Sequence, residues 1–171
     1  ETFPIEIPQR KGDPIVFKTD ECVRADSTMA DLARLKPALL KDGVVTAGNS
    51  SPMNDGASAV LLMSGEKAKE LGLKPLARVS AFASAGVDPN IMGIGPVNST
   101  RKLMKKTGLK IDDFDIIELN EAFASQSIAC IKELEIDTSK LNPNGGAIAI
   151  GHPNAASGGI LTARTVRHMQ E

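Results

Sequence analysis

A single histidine, His152, lies between two glycine-rich flanks in the segment NGGAIAIGHPNAASGG, residues 144–159. A histidine in such a setting usually serves another group, because its ring can accept or donate a proton near neutral pH. The local sequence is also compatible with a neutral core histidine that bonds only to the backbone. The segment alone leaves both interpretations open.

A second polar pair, Asn120 and Glu121, lies in LNEAF, between a strand predicted from FDIIELNE and a helix predicted from AFASQSIACIKELE. Functional groups collect at such junctions in open α/β sheets, beyond the carboxyl ends of the strands. The alternative is structural: Asn120 would cap the helix, and Glu121 would favour its positive end. Residues 122–131 of this helix carry no charge, which predicts a helix buried on most of its circumference.

Two other segments resemble nucleotide-binding motifs in spacing, but their residue types exclude that interpretation. The glycines that flank AIAI have the spacing of a phosphate loop, but His152 and Pro153 stand where that loop needs Lys and Ser or Thr. GIGPVN, from Gly93, begins like a dinucleotide fingerprint but has Asn98 at the third glycine position. Two distant histidines without a Cys/His cluster predict no metal site.

The composition is that of an ordinary globular domain. The chain has 171 residues, 42% hydrophobic and 24% charged, with a formal net charge of −1 at pH 7. This balance predicts neither a nucleic-acid partner nor a membrane surface, and no apolar run approaches the length of a membrane span. Two cysteines form no disulfide framework, which favours a reducing, cytoplasmic location.

The elements that would position these residues alternate between strands and helices from Leu76 onward, which indicates an α/β layered architecture. Residues 1–20 predict short edge strands and turns, and ADSTMADLARLKPAL predicts a helix with Ser27 as its N-cap. ASAVLLMS predicts a buried strand, followed by a short helix in GEKAKELGL. Further strands are predicted near 76–83, 114–119 and 141–150, with helices from RKLMKKTG, AFASQSIACIKELE and SGGILTARTVRHMQ.

The motifs LNEAFA and NGGAIAIGHP…ASG resemble two signatures of the thiolase family, the acetyl-CoA acetyltransferases, and DGVVTAGNSSPMNDGA and VDPNIMGIGP look like two more. The likeness runs over essentially the whole chain. It implies a partial thiolase-like α/β layered fold, with an incomplete mixed sheet, helices on both faces and a loop region. It divides the chain into a CoA-binding loop region (1–54), the last strand and helix of the N-terminal half (55–75), and a C-terminal half without its closing strands (76–171).

The resemblance also implies a chemistry. Thiolases condense acetyl-CoA in a Claisen reaction, or cleave 3-ketoacyl-CoA, through an acylated cysteine. His152 would activate that cysteine and donate to the thioester oxyanion, and Asn120 would hold a water that supplies the second donor. Coenzyme A thioesters such as acetyl-CoA and acetoacetyl-CoA would be substrates, with no permanently bound cofactor. The full-length protein would be a homo-oligomer, a dimer or tetramer.

Neither cysteine of this chain matches the cysteines of the family. The family's nucleophile lies in the first half, and a second, acid/base cysteine lies in a glycine-rich segment near the C-terminus. Cys22 and Cys130 are therefore expected to be bystanders. We expect the chain to be a fragment that is inactive alone, with the nucleophile supplied by a missing first half. The alternative is a stand-alone, non-catalytic module that binds CoA or a partner chain.

Coenzyme A contacts follow from the resemblance by position. Arg24 would lie at the nucleotide end, Phe123 near the thioester and Met92 beside the acyl pocket. The pantetheine tunnel would be lined by Ala47, Ser51 and Met53.

Four residues depart from the family pattern. Asn154 and Ala155 follow GHP where an apolar residue and a glycine are usual, so Ala155 would restrict the backbone. Pro52 stands where glycine is common, and Asp31 places a carboxylate near the expected CoA nucleotide. These departures are expected to affect the affinity for coenzyme A thioesters and the specificity among them.

Overall fold

A computed structural model describes residues 2–170 of the chain. Its two strands are β1 (Ile5–Ile7) and β2 (Ile15–Phe17). The α-helices are α1 (Met29–Ala33), α2 (Gly65–Glu70), α3 (Gly95–Thr107), α4 (Ala124–Leu134), α5 (Ala147–Ile150) and α6 (Ser157–His168). Three short 3-10 helices span Pro89–Ile94, Ile111–Asp113 and Thr138–Lys140. No helix among the described residues is long and apolar enough to cross a lipid bilayer.

The apolar core lies where α3 and α4 pack on each other and on the 3-10 helix at 89–94. Val97 on α3 and Cys130 on α4 are fully buried there, beside Leu134 and Ile136. Cys130 thus packs as a small apolar side chain. The core is completed by partly buried residues: Ile94, Met104, Ile111, Ile117, Leu119, Ile131 and Leu141.

The three main helices were predicted in the right places, but with errors in extent and burial. Helix α3 begins at Gly95, before the predicted RKLMKKTG, because Pro96 is compatible with the first turn of a helix. It ends at Gly108, whose φ of 76° is the left-handed conformation that glycine favours. Helix α4 is buried along one stripe only: Ile128 is 50% exposed, so the prediction of burial on most of its circumference is wrong. Its exposed residues are Ser125, Ile128, Lys132 and Glu133.

Most of the predicted strands are not formed. Residues 1–20 do form the expected short strands, since β1 and β2 pair antiparallel. The strands predicted at 57–64 and 76–83 are wrong: these residues form no ladder, and Leu61 and Phe82 are largely exposed. The strands predicted at 114–119 and 141–150 leave only a parallel bridge between Ile117 and Leu141. Apolar patterning predicts burial, but a strand also needs a neighbour to satisfy its N–H and C=O groups.

The predicted mixed sheet is therefore reduced, among residues 2–170, to the antiparallel β1–β2 pair and isolated bridges. The run AIAI, predicted as the end of a strand, is the helical turn α5, in which the amides of Ala149 and Ile150 donate to the carbonyl of Gly146. The N-cap of this turn is Gly146, so no N-cap side chain accepts the free amides of its first residues. His152 consequently follows a helix rather than a strand.

The loop region is joined to the helical part through the LNEAF segment. The amide of Ser51 donates to the Ala122 carbonyl, and the amide of Ala124 donates to the Asn49 carbonyl. Helix α1 precedes this loop, and its N-cap is Thr28 rather than the predicted Ser27, because the Thr28 side chain accepts from the Asp31 amide. The backbone bonds at 49–51 fix the loop against the start of α4.

Candidate active site

The structure brings together the two polar residues singled out by the sequence. The Nδ2 atom of Asn120 lies 3.3 Å from Nε2 of His152, and both side chains are half-buried. The predicted approach of these residues is confirmed. The elements that position them were predicted wrongly, because neither residue follows a β-strand. His152 follows the turn α5, and Asn120 lies just before α4.

The hydrogen bonds around His152 favour one tautomer of its ring. Its Nδ1 lies 2.7 Å from Oγ of Ser157, and that hydroxyl donates to the carbonyl of Pro153 at 3.2 Å. We assign the single hydrogen of this hydroxyl to the Pro153 carbonyl, so that Ser157 accepts from His152 and Nδ1 carries the ring proton. Nε2 then holds a lone pair, which accepts the Asn120 N–H. The imidazole therefore presents a proton acceptor on the side of Asn120.

We predict that Ser157→Ala removes this control of the tautomer. Without the Ser157 oxygen, Nδ1–H loses its acceptor, so the fraction of His152 protonated at Nε2 should rise. Ring-nitrogen NMR shifts of isotope-labelled histidine would measure the fraction of His152 that is protonated at Nε2. Thr162→Ala is the matched control, because the Thr162 hydroxyl donates within the same helix, to the Gly158 carbonyl. Unchanged His152 shifts in Ser157→Ala would contradict the assignment.

The backbone at His152 is held by the loop at 52–54. The His152 N–H lies 2.9 Å from the Pro52 carbonyl and 3.2 Å from Oδ1 of Asn54. Gly151 adopts a φ of 102°, and a Cβ there would lie 2.1 Å from the Asn54 oxygen. Asn54 also directs its Nδ2 to the Cys22 sulfur at 3.4 Å. The glycine before His152 is thus required both by its conformation and by the close approach of Asn54.

A buried asparagine sets the position of the LNEAF segment. Asn142, 8% exposed, accepts from the Leu119 amide at 2.8 Å through Oδ1 and donates to the Leu119 carbonyl at 2.9 Å. Its side chain thereby replaces the pair of bonds that a neighbouring strand would make. Asn142 has a φ of 45°, a conformation that asparagine tolerates better than most residues.

A buried ion pair supports the glycine loop from the side of α6. Nη1 of Arg164 lies 3.7 Å from Oε2 of Glu118, and the two side chains are 10% and 5% exposed. Nη2 of Arg164 donates to the Gly145 carbonyl at 2.7 Å. The guanidinium therefore links α6 to the loop that precedes His152. Among residues 2–170, no group of three His, Cys, Asp or Glu side chains could hold a metal ion.

The residues carried over as CoA contacts fall into two groups. Ser51 lies against the LNEAF segment, where its Oγ donates to the Ala122 carbonyl at 3.1 Å, and Phe123, the last residue of that segment, forms a bridge with Ser50. The remaining four are exposed on the surface: Arg24, Ala47, Met53 at 92% and Met92 at 70%.

The four departures from the family pattern are accommodated locally. Ala155 is exposed and does not have a positive φ, so the predicted restriction of its backbone is wrong. Asn154 is exposed, and Pro52 contributes the carbonyl that accepts from His152. Asp31 lies in the first turn of α1, 3.6 Å from Arg34, in an exposed i,i+3 pair.

Sequence reasoning missed Ser157, Asn142 and Asn54 as residues that hold the site. Ser157 lies inside the quoted motif, and its place five residues after His152 could have suggested it. Asn142 and Asn54 act over 23 and 98 residues of sequence, respectively, and no local pattern marks such contacts.

Comparison with known proteins identifies the family of this chain. Residues 1–66 match the N-terminal domain of thiolase, and residues 73–171 match the C-terminal domain of thiolase. The chain belongs to the thiolase family.

Individual relatives agree in sequence and in structure. An acetyl-CoA acetyltransferase of Pseudomonas aeruginosa is 60% identical over 158 residues, which cover 92% of this chain and 40% of that protein. The crystal structure of the Bacillus anthracis acetyl-CoA acetyltransferase matches with a TM-score of 0.89 and 48% identity, over 98% of this chain and 42% of that one. The dimeric peroxisomal thiolase of Saccharomyces cerevisiae gives a TM-score of 0.87 at 42% identity, over 97% and 42% of the two chains. The α/β thiolase fold class is thus confirmed, and the chain spans about 40% of the length of these relatives.

Proposed function

We propose that this chain is the CoA-loop and C-terminal part of an acyl-CoA C-acyltransferase that condenses acetyl-CoA or thiolyses 3-ketoacyl-CoA. The observation that carries the proposal is the pair formed by Asn120 and His152, in which Nε2 of His152 lies 3.3 Å from Nδ2 of Asn120. A neutral imidazole with its proton on Nδ1 can accept a thiol proton and then act as a donor.

The chemistry divides between the two residues. Nε2 of His152 accepts the proton of a cysteine thiol, and the resulting thiolate attacks the thioester carbonyl. The protonated ring then donates from Nε2 to the oxyanion that forms. Asn120 holds a water that provides the second donor to that oxygen. The acyl group passes to cysteine, and the CoA sulfur leaves as a thiolate that recovers the proton.

The nucleophilic cysteine belongs, in this proposal, to a segment outside residues 1–171. Cys130 is fully buried in the apolar core. Cys22 makes a contact with the Asn54 side chain, and Asn54 in turn contacts the backbone of His152 rather than its ring. Neither thiol has a described contact with Nε2 of His152. We therefore assign no catalytic role to either cysteine.

The other parts of the proposal follow from the same family. Residues 1–54 would bind coenzyme A, residues 55–75 would end the N-terminal half, and residues 76–171 would form the C-terminal half. Arg24, Ala47, Ser51, Met53, Phe123 and Met92 would contact the thioester substrate, with no permanently bound cofactor. The dimeric yeast relative supports a homo-oligomer, and the two unpaired cysteines support a cytoplasmic location.

The proposal is tested by thiolysis of acetoacetyl-CoA. We expect no turnover from the purified 171-residue chain, and turnover from a longer protein in which a thiolase first half with its cysteine precedes it. Loss of a member of such a catalytic unit typically costs about 10⁴-fold in rate. Turnover by the chain alone would overturn the assignment of Cys22 and Cys130. An inactive longer protein that still binds CoA would favour a non-catalytic module.

A further inference from the structure

Glu121 makes contacts that the proposed chemistry does not use. Its Oε1 accepts from Nδ2 of Asn142 at 2.9 Å, and its Oε2 accepts from the Ile148 amide at 3.2 Å. Ile148 is the second residue of the turn α5, which ends at Ile150, and Gly151 and His152 follow directly. One carboxylate therefore joins the LNEAF segment to the element that delivers the histidine.

The turn α5 has no side-chain cap of its own. Its N-cap is Gly146, which has no side chain to accept the free amides of the first turn. A carboxylate near the start of a helical turn satisfies an amide and favours the positive end of the peptide dipoles. Glu121 performs this function from a separate part of the chain, 27 residues away from Ile148.

The close approach of Glu121 also explains the glycine at position 146. Gly146 has a φ of −125° and a ψ of −175°, an extended conformation that any residue adopts. A Cβ there would lie 2.0 Å from Cδ of Glu121. Conformation does not require glycine at this position, but the space occupied by the carboxylate does.

We infer that Glu121 is a positioning residue that holds Nε2 of His152 against Asn120 by capping the turn α5. The inference rests on the proposed function for its kinetic consequence, though not for its geometry. Asn120 and Glu121 are neighbours in sequence, so the same short segment contacts the histidine ring and fixes the turn that carries it. Loss of the cap would let the turn move relative to Asn120.

The kinetic test uses the longer protein with its cysteine-bearing first half. Glu121→Gln keeps the shape but replaces one oxygen acceptor with an NH₂ group, which faces either the Ile148 amide or the Asn142 amide. We expect kcat for thiolysis to fall by about 10²-fold, as a misplacement of roughly 1 Å produces, while KM for acetoacetyl-CoA stays the same. A kcat equal to that of the parent protein would overturn the inference. A change in KM with no change in kcat would also overturn it.

The matched control is Asp137→Asn. Oδ1 of Asp137 accepts from the Ser139 amide at 2.9 Å, at the start of the 3-10 helix Thr138–Lys140. This variant also removes a carboxylate from a short helical turn, but that turn does not lead to His152. Its kcat should equal that of the parent. If Glu121→Gln does not fold, Gly146→Ala tests the same contact by displacing the carboxylate, and a parental kcat in Gly146→Ala would count against the inference.

A second measurement separates this inference from the proposed function. Ring-nitrogen NMR of isotope-labelled histidine reports the environment of Nε2 whether or not the protein turns over substrate. In Glu121→Gln, the Nε2 resonance of His152 should move toward that of a ring nitrogen without a hydrogen-bond donor. Asp137→Asn should leave it in place. An inactive parent protein would refute the proposed function alone, whereas an unmoved Nε2 resonance in Glu121→Gln would refute the role of Glu121.

Discussion

His152→Ala is expected to lower kcat for thiolysis by about 10⁴-fold in the longer protein that contains this chain. In the proposed mechanism, the substitution removes the base that accepts the cysteine proton and, at the same time, one donor to the thioester oxyanion. Both proposed functions depend on Nε2, which lies 3.3 Å from Nδ2 of Asn120. Steady-state kinetics with acetoacetyl-CoA and CoA would measure the loss, with KM little changed.

The matched control is the other histidine of the chain. His168 is the last residue of α6, so His168→Ala removes the same chemical group from a place outside the Asn120–His152 pair. We expect its kcat to stay within a few-fold of the parent value. A loss in His168→Ala as large as that in His152→Ala would mean that histidine removal acts through folding.

Asn120→Ala is expected to lower kcat by about 10²–10³-fold, the usual cost of removing one oxyanion donor. The side chain at 120 is proposed to hold a water, so its loss should affect the charged transition state and not the formation of the thiolate. Asn98→Ala is a suitable control, because Asn98 is an exposed asparagine on α3. A kcat for Asn120→Ala equal to that of Asn98→Ala would contradict the role given to Asn120.

The proximity of Asn120 and His152 was predicted from the sequence more accurately than the secondary structure around them. His152 and Asn120 could be paired because each lies in a motif that resembles a thiolase signature. Helices α3, α4 and α6 could be located because a helix satisfies its own backbone. The strands could not, because a segment such as 76–83 becomes a strand only when another segment pairs with it.

The contacts that hold the site could not be predicted from local sequence patterns, because they join segments that are distant in sequence. The run AIAI has the composition of a buried strand, yet it forms the turn α5, whose second residue donates its amide to Glu121. Glu121 could be assigned a favourable place near the start of α4, but the acceptor role at α5 depends on a contact between segments 27 residues apart. Asn142 likewise acts through a side chain that substitutes for a strand neighbour.

The account is tested most directly by the rate at which iodoacetamide labels the nucleophilic cysteine of the longer protein, compared between His152→Ala and Asn120→Ala. Alkylation consumes the thiolate and forms no thioester oxyanion, so it responds to the base but not to the oxyanion donors. We predict that His152→Ala slows labelling strongly and that Asn120→Ala leaves it nearly normal. Equal slowing in the two variants would contradict the division of roles between His152 and Asn120.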